Sequence, residues 1–256
     1  MKLIWMVLGL FCSSTFATGN TEIESFSTAK QLMQKKVYIS EALRKTIYCN
    51  ASFDKDRELT LPEGFQTSIY RKRRFKWEAE HIVPAENFGR TFHEWREGSP
   101  LCVDKKGQPF RGRKCAEKAN KEYRLMQSDL YNLAPAIGSV NAARQNYNFT
   151  MLPTARSSFG SCDMRIENRK VQPPEEARGR IARTYLYFED AYPRYKMSKA
   201  QKQLMIVWDK QYPVTRNECE IGKKIEIIQR SNNVILSSRC AVYMIPSLPS
   251  NKHETA

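Results

Sequence analysis

The sequence is poor in several residue types, and each shortage excludes a class of protein. The 11 glycines and 12 prolines among 256 residues are too few for a collagen-like or linker-dominated chain. Acidic residues number 27 against 42 lysines and arginines, which gives a formal net charge of +15. Only three histidines are present, so a site that needs an imidazole has few candidates. The shortage of negative charge favours a polyanionic partner, such as nucleic acid, an acidic polysaccharide or an anionic membrane surface.

The abundant residues are those of a folded protein. Apolar residues make up 41% of the chain and aromatic residues 11%, which argues against wholesale disorder. The length suits one domain, or two small ones, with a sizeable core. Helical and strand-like patterns are interspersed without a strand–helix–strand repeat, so we predict an α+β fold. The predicted helices lie at residues 26–48, 116–126, 129–143 (broken near Pro135), 175–190, 198–210 and 218–229, and the predicted strands at residues 70–83 and 161–167.

The first 17 residues have the pattern of a secretory signal peptide. Lys2 gives a positive start, an apolar run extends from Leu3 to Phe11, and Ala17 supplies the small residue at the cleavage site. The run is shorter than the about 20 apolar residues that span a bilayer. The alternative, a buried N-terminal element, is opposed by the polar residues 18–22. We predict an exported protein, periplasmic or secreted and without membrane attachment after cleavage, with a domain over residues 18–245 and a loose tail over residues 246–256.

Cysteines fit an oxidising compartment. Cleavage after Ala17 would remove Cys12 and leave six of the seven cysteines, an even number that suits disulfides in an exported chain. Many connectivities remain open, but proximity in the sequence favours two of the pairs and leaves the third by elimination. A zinc site competes weakly, because the sequence has no CxxC pair and no histidine near the cysteines. The favoured pairs are Cys102–Cys115, Cys219–Cys240 and Cys49–Cys162.

The segment over residues 77–90 carries a charged pair, Glu80 and His81, within a strand-like stretch. Neutral imidazole is the best side-chain base near pH 7, and a neighbouring carboxylate suits a hard cation such as Mg²⁺. The alternative is a surface strand with an ion-paired Glu80 and a solvated His81. Neighbours on a strand point to opposite faces, so the two residues share a site only if the chain turns there or the site wraps around the strand end. Pro84 makes such an end plausible.

A second informative segment covers residues 126–149 and contains Asn132 among apolar residues. A buried amide must be hydrogen-bonded or bound to a ligand. Asn132 is therefore either a residue that stitches a loop together or a metal ligand through its amide oxygen.

Together, these two segments resemble the endonuclease I family of periplasmic and secreted bacterial nucleases, which are ββα-metal (His-Me finger) enzymes. The patterns EHxVPA and DLxNLxPxxGxVN carry most of the resemblance. Further matching blocks occur in the family order, so that the resemblance extends over residues 49–240. These blocks are residues 112–115, 171–174, 179–187 and 208–214.

The resemblance implies a single domain with a ββα-metal core, surrounded by helices and stapled by disulfides. It implies that His81 is the general base that activates the attacking water, and that Arg113 holds the scissile phosphate. Glu80 and Asn132 would bind one divalent ion, Mg²⁺ or, in its place, Ca²⁺ or Mn²⁺. In a departure from the family pattern, Gln127 stands where some members have a glutamate.

The positive charge offers contacts to a nucleic-acid backbone. The basic run of residues 71–74 precedes the Glu80–His81 segment with aromatic residues interleaved, although such a run is usually a solvated face. Binding of this kind would depend steeply on salt and little on base identity. The candidate contacts are Arg71, Arg73, Arg74, Arg90, Asn141 and Arg144. The last three are second-tier candidates, because such residues taken singly are more often structural or solvated side chains.

We therefore predict a monomeric, metal-dependent endonuclease that cuts DNA, and also RNA, without sequence specificity. The alternative is an exported basic protein that binds nucleic acid or another polyanion without cleaving it. Charge supports both hypotheses equally. The set of Glu80, His81 and Asn132 favours the enzyme, because a binding protein needs neither a base nor metal ligands.

Overall fold

Residues 19–243 are described by the structure, a computed structural model. The predicted signal peptide (residues 1–17) and tail (residues 246–256) lie outside the described residues. Residues 19–243 form ten α-helices: α1 (Phe26–Leu32), α2 (Ala85–Gly89), α3 (His93–Arg96), α4 (Arg113–Ala119), α5 (Lys121–Gln127), α6 (Gly138–Arg144), α7 (Glu175–Ala191), α8 (Lys199–Gln211), α9 (Arg216–Gln229) and α10 (Val234–Cys240). They also form seven strands: β1 (Ser52–Phe53), β2 (Leu59–Thr60), β3 (Trp77–His81), β4 (Leu133–Ile137), β5 (Asn148–Phe149), β6 (Arg165–Glu167) and β7 (Lys170–Gln172).

The mixture of helices and small sheets confirms the prediction of an α+β fold. Strand β1 pairs with β2, β3 pairs with β4, and β7 lies between β5 and β6. The long helix α7 supplies much of the core, because one of its faces is lined by fully buried apolar side chains such as Ile181, Tyr185 and Phe188. Within residues 19–243, no helix has the length and apolar character needed to cross a membrane.

The β3–β4 pair positions the residues of interest. The strands are antiparallel, with Trp77 opposite Ile137 and His81 opposite Leu133. About 50 residues separate them in the chain, so the pair is a long-range contact rather than a tight hairpin. Helix α6 begins directly after β4 and packs against β3. Gly138 permits this close approach, because a Cβ there would lie 2.4 Å from the carbonyl oxygen of Arg73.

Several of the predicted elements differ from those observed. The helix predicted over residues 26–48 is α-helical only as far as Leu32 and continues as a π-helical turn, Met33–Val37, while the helix predicted over residues 116–126 is divided into α4 and α5. The stretch 70–83 is not a strand pair, because Tyr70 has a left-handed backbone conformation (φ 49°) and a 3₁₀ turn, Arg71–Phe75, precedes β3. The predicted helix over residues 129–143 is instead a 3₁₀ turn, strand β4 and helix α6. Pro135 sits within β4, where proline is tolerated because β4 has only one partner strand. Its carbonyl oxygen accepts a hydrogen bond from the backbone N–H of Ile47.

Disulfide bonds join the three predicted pairs: Cys102–Cys115 and Cys219–Cys240, favoured by sequence proximity, and Cys49–Cys162, left by elimination. They close loops of very different length: Cys49–Cys162 spans 113 residues, whereas Cys102–Cys115 spans 13. A longer closed loop removes more conformational freedom from the unfolded chain.

Loss of the long-range disulfide should therefore destabilise the protein more than loss of the short one. We expect Cys49→Ala/Cys162→Ala to lower the free energy of unfolding by about 4–5 kcal/mol, and Cys102→Ala/Cys115→Ala by about 3 kcal/mol. Urea denaturation in non-reducing buffer measures both values. Equal losses, or a larger loss from the short loop, would contradict this account.

Candidate active site

A cavity of about 530 Å³ opens at the end of β3. Its wall includes Glu78, Glu80 and His81 from the strand, so that side chains from both faces of β3 reach one space. The cavity thus wraps around the strand end, the arrangement that a shared Glu80–His81 site requires. Arg113 from the start of α4 and Asn141 from α6 also contribute to the polar wall.

His81 is held in a single neutral form. Its Nε2 lies 2.8 Å from the backbone carbonyl oxygen of Gln127, and a carbonyl can only accept a hydrogen bond, so Nε2 carries the proton. Nδ1 therefore keeps its lone pair and is the nitrogen that can act as a base. Burial, aided by the positive charges of Arg113 and Arg144, lowers the pKa of His81 to about 3. The imidazole is therefore neutral at physiological pH.

The segment that follows Gln127 at the end of α5 is fixed by a buried carboxylate. Asp129 accepts hydrogen bonds from the hydroxyls of Tyr187 (2.8 Å) and Tyr192 (2.6 Å) and from Nε2 of Gln229 (3.0 Å). Burial raises the pKa of Asp129, and these hydrogen bonds oppose that effect. The acceptor for the His81 proton thus lies on a segment tied to the core.

Glu80 is buried, and only one of its two oxygens is used by the described protein. Oε1 accepts hydrogen bonds from the Tyr48 hydroxyl (2.6 Å) and from the Arg144 guanidinium (2.9 Å). Oε2 accepts none from residues 19–243. Burial raises the pKa of Glu80, and the charge of Arg144 lowers it. The carboxylate is consequently anchored on one side and has an oxygen available on the other.

Asn132 lies outside the cavity. It is fully buried, its Oδ1 accepts the backbone N–H of Val83 (2.7 Å), and its Nδ2 donates to the Val83 carbonyl (3.0 Å). Both polar atoms of the amide are thus occupied in holding the chain just beyond β3. The structure does not bring Asn132 to the cavity, where a metal ligand was predicted, and its hydrogen bonds match the alternative of a loop-stitching side chain.

Asn141, unlike Asn132, lines the cavity. It faces the cavity from α6, and its Nδ2 donates to Oε2 of Glu78 at 2.9 Å. Its Oδ1 accepts no hydrogen bond from a residue of the described range. Asn141 was predicted to be a phosphate contact, and its place on the helix that follows the partner strand of β3 is seen only in the folded chain.

Arg144 reaches the edge of the cavity, but its hydrogen bonds are made to the protein, which matches the alternative of a structural side chain. Its side chain is only 1% exposed. Besides Glu80, it donates to the backbone carbonyls of His81 (2.8 Å) and Ile82 (2.7 Å). It therefore fixes the backbone at the point where the strand ends.

The other predicted arginines differ in whether they form a salt bridge. Arg113 lines the cavity and forms no salt bridge with the described residues, so its charge is available to an anion. Arg73 is bound to Glu78 and Arg90 to Glu86, both at the surface. Arg71 and Arg74 line a separate cavity of about 750 Å³ beside the exposed ring of Phe75.

Metal-binding capacity at this site rests on oxygen atoms. No group of three or more histidine, cysteine, aspartate or glutamate side chains suited to a metal ion occurs among residues 19–243. A cation in the cavity would have Oε2 of Glu80 and Oδ1 of Asn141 from the protein, with other positions left to water or substrate. Such a donor set suits a hard divalent cation, which takes oxygen ligands.

A neutral imidazole base, a carboxylate with one oxygen available and an arginine without a salt bridge around one cavity define a hydrolase that acts on anionic esters.

The sequence profile of the family Endonuclease I matches residues 25–237. The chain is 33% identical over 224 residues to Endonuclease-1 of Buchnera aphidicola subsp. Acyrthosiphon pisum, covering 85% of this chain and 82% of the relative. It is 32% identical over 245 residues to an extracellular deoxyribonuclease of Aeromonas hydrophila, covering 93% and 98%. A periplasmic deoxyribonuclease of the same organism is 32% identical over 227 residues, covering 86% and 88%.

The chain belongs to the endonuclease I family and is an endonuclease, which hydrolyses phosphodiester bonds within nucleic acid. The family resemblance noted in the sequence is thereby confirmed. Among the residues that sequence reasoning missed are Phe26, which lines the cavity, and Tyr48, which binds Glu80, because both reach the site from distant parts of the chain.

Proposed function

We propose that this protein is an exported, monomeric deoxyribonuclease that cuts within DNA, and also RNA, without sequence preference, using one divalent ion and a histidine base. The observation that carries the proposal is the fixed tautomer of His81 beside Glu80 and Asn141. The ββα-metal core of this enzyme is the unit of β3, β4 and α6. Names of relatives that contain the words extracellular and periplasmic, together with three disulfides, support the assignment to an oxidising compartment.

Glu80 and Asn141 are the residues that would hold the ion, for which Mg²⁺ is the favoured candidate and Ca²⁺ or Mn²⁺ the substitutes. When bound, such an ion neutralises charge on the phosphate and the leaving oxygen. Tyr48 and Arg144 fix one oxygen of Glu80 and thereby aim the other into the cavity.

His81 takes the proton of the attacking water at Nδ1. The low pKa keeps this nitrogen unprotonated before the reaction, and the Nε2–H bond to Gln127 prevents the opposite tautomer. Arg113, which has no salt-bridge partner within residues 19–243, binds the scissile phosphate and stabilises the charge that builds up in the transition state. The excess of positive charge in the chain draws the polyanionic substrate toward this site.

The two asparagines should differ in their effect on metal dependence. We expect Asn141→Ala to raise the Mg²⁺ concentration for half-maximal plasmid cleavage by about 10–100-fold, because it removes a protein oxygen from the site. Asn132→Ala should leave that concentration unchanged but lower the free energy of unfolding by about 1–3 kcal/mol, since the Val83 backbone groups lose their partner. EDTA should abolish cleavage by the wild-type protein.

Plasmid cleavage over a Mg²⁺ titration and urea denaturation measure the two effects, and isothermal titration with Mg²⁺ gives a reading that does not depend on activity. If Asn132→Ala shifts the metal requirement and Asn141→Ala does not, Asn132 is the ligand after all. If wild-type protein with intact disulfides binds the plasmid but leaves it uncut with metal present, the alternative of a polyanion-binding protein replaces the enzyme.

A further inference from the structure

The catalytic histidine is covered by an aromatic ring from a distant part of the chain. The Phe26 ring, on α1, stacks on the His81 imidazole with centroids 4.8 Å apart and planes 26° from parallel. Phe88, fully buried, is the other aromatic neighbour of the imidazole, at 6.3 Å. Of these two rings, only Phe26 also lines the cavity.

The same ring contacts the arginine of the site. The guanidinium of Arg113 lies 5.2 Å from the Phe26 centroid, within the range of a cation–π interaction. The ammonium of Lys30, one turn further along α1, lies 5.0 Å from that centroid. Phe26 therefore touches both the proposed base and the proposed phosphate-binding cation.

Phe26 is held in place by an anchored arm, residues 19–26. The side chain of Asn20 is buried, and its Nδ2 donates to the carbonyls of Ile23 (2.7 Å) and Leu125 (2.8 Å). The backbone N–H of Asn20 donates to the Tyr192 hydroxyl at 2.8 Å. Tyr192 in turn donates to Asp129, so the arm and the segment that follows Gln127 share one hydrogen-bond network.

We propose that Phe26 is a positioning residue for catalysis, which fixes the plane of the His81 ring and the direction of the Arg113 guanidinium. The inference rests on the proposed function of these two residues. The hydrogen bond to Gln127 restrains one edge of the imidazole but leaves rotation about that bond open, and a ring stacked on its face removes this freedom. Misplacement of a catalytic group by about 1 Å can reduce a rate by about 10²-fold.

Replacement of the ring tests this role through rate and through chemistry at His81. Phe26→Ala should lower kcat for plasmid cleavage by about 10–100-fold, on the scale of misplaced catalytic groups. The effect on KM should be smaller, and Phe26→Tyr, which keeps a stacked ring, should restore most of the rate. A second measurement is the carbethoxylation of His81 by diethylpyrocarbonate in metal-free buffer, followed by peptide mass spectrometry. This reaction should be about tenfold faster in Phe26→Ala than in the wild type, because the uncovered imidazole can rotate and is accessible to the reagent.

His93, which is exposed on α3, provides the internal reference for reagent concentration. Leu32→Ala is the matched variant, because Leu32 lies on the same helix and packs against the core without lining the cavity. It should lose stability without changing kcat or the modification rate of His81. If Phe26→Ala retains wild-type kcat and an unchanged His81 modification rate, the positioning role is wrong, whereas absence of cleavage by the wild type would refute the proposed function itself.

Discussion

His81→Ala is expected to lower the rate of plasmid cleavage by about 10²–10⁴-fold, the contribution of a positioned general base. The variant should keep its fold, because His81 sits at the cavity and not in the centre of the core. Loss of the side chain removes the only imidazole among the residues that line the cavity. The reaction would then depend on water as the base.

Conversion of supercoiled plasmid, followed over time with Mg²⁺ present, measures the effect. His93→Ala is the matched control, since it removes an exposed histidine outside the cavity and should leave the rate unchanged. Added imidazole should restore part of the activity of His81→Ala, because it can occupy the vacated space and accept the proton. Unaltered cleavage by His81→Ala would assign the base to another residue.

Arg144→Met should lower the free energy of unfolding by about 3–5 kcal/mol, the usual cost of leaving a buried charge without its partner. Arg144 is almost fully buried, and it donates hydrogen bonds to Glu80 and to two backbone carbonyls. Arg144→Lys should recover only part of the loss, because a single ammonium cannot span the carboxylate and both carbonyls as the planar guanidinium does. Cleavage should fall in both variants, since the end of β3 is no longer fixed.

Urea denaturation gives the stability of each variant, and Arg90→Ala provides the comparison. Arg90 pairs with Glu86 at the surface, with a side chain 67% exposed. Exposed pairs of this kind contribute about 0–1 kcal/mol. A loss of less than about 1 kcal/mol in Arg144→Met would show that water or a rearranged neighbour satisfies Glu80.

The sequence predicts the parts of this protein that depend on local patterns. Helices α7 and α8 have the bounds expected from their spacing, and Ser198 caps α8 through its hydroxyl. Two of the cysteine pairs follow from proximity and the third from elimination, and the Glu80–His81 pair stands out because charge interrupts a strand-like stretch.

Long-range pairing limits the rest of the prediction. Neither Pro135 within a strand nor Asn141 at the cavity follows from local pattern, because both depend on the pairing of β3 with β4. The burial of Arg144 was equally hidden, since a basic residue in a basic chain gives no sign of a buried carboxylate partner. Phe26 and Tyr48 lie more than 30 residues from His81 in the sequence, and only the folded chain brings them to it.

The position of Cys49 next to Tyr48 couples the redox state of the Cys49–Cys162 pair to the geometry of the active site. Tyr48 holds the Glu80 carboxylate, and its neighbour is joined to Cys162 only where thiols are oxidised. We expect a chain in which Cys49 and Cys162 are reduced to hold Tyr48, and with it the Glu80 carboxylate, less firmly. The newly made chain would therefore have little nuclease activity in a reducing cytoplasm. In an oxidising cytoplasm it would cut the DNA of the cell that makes it.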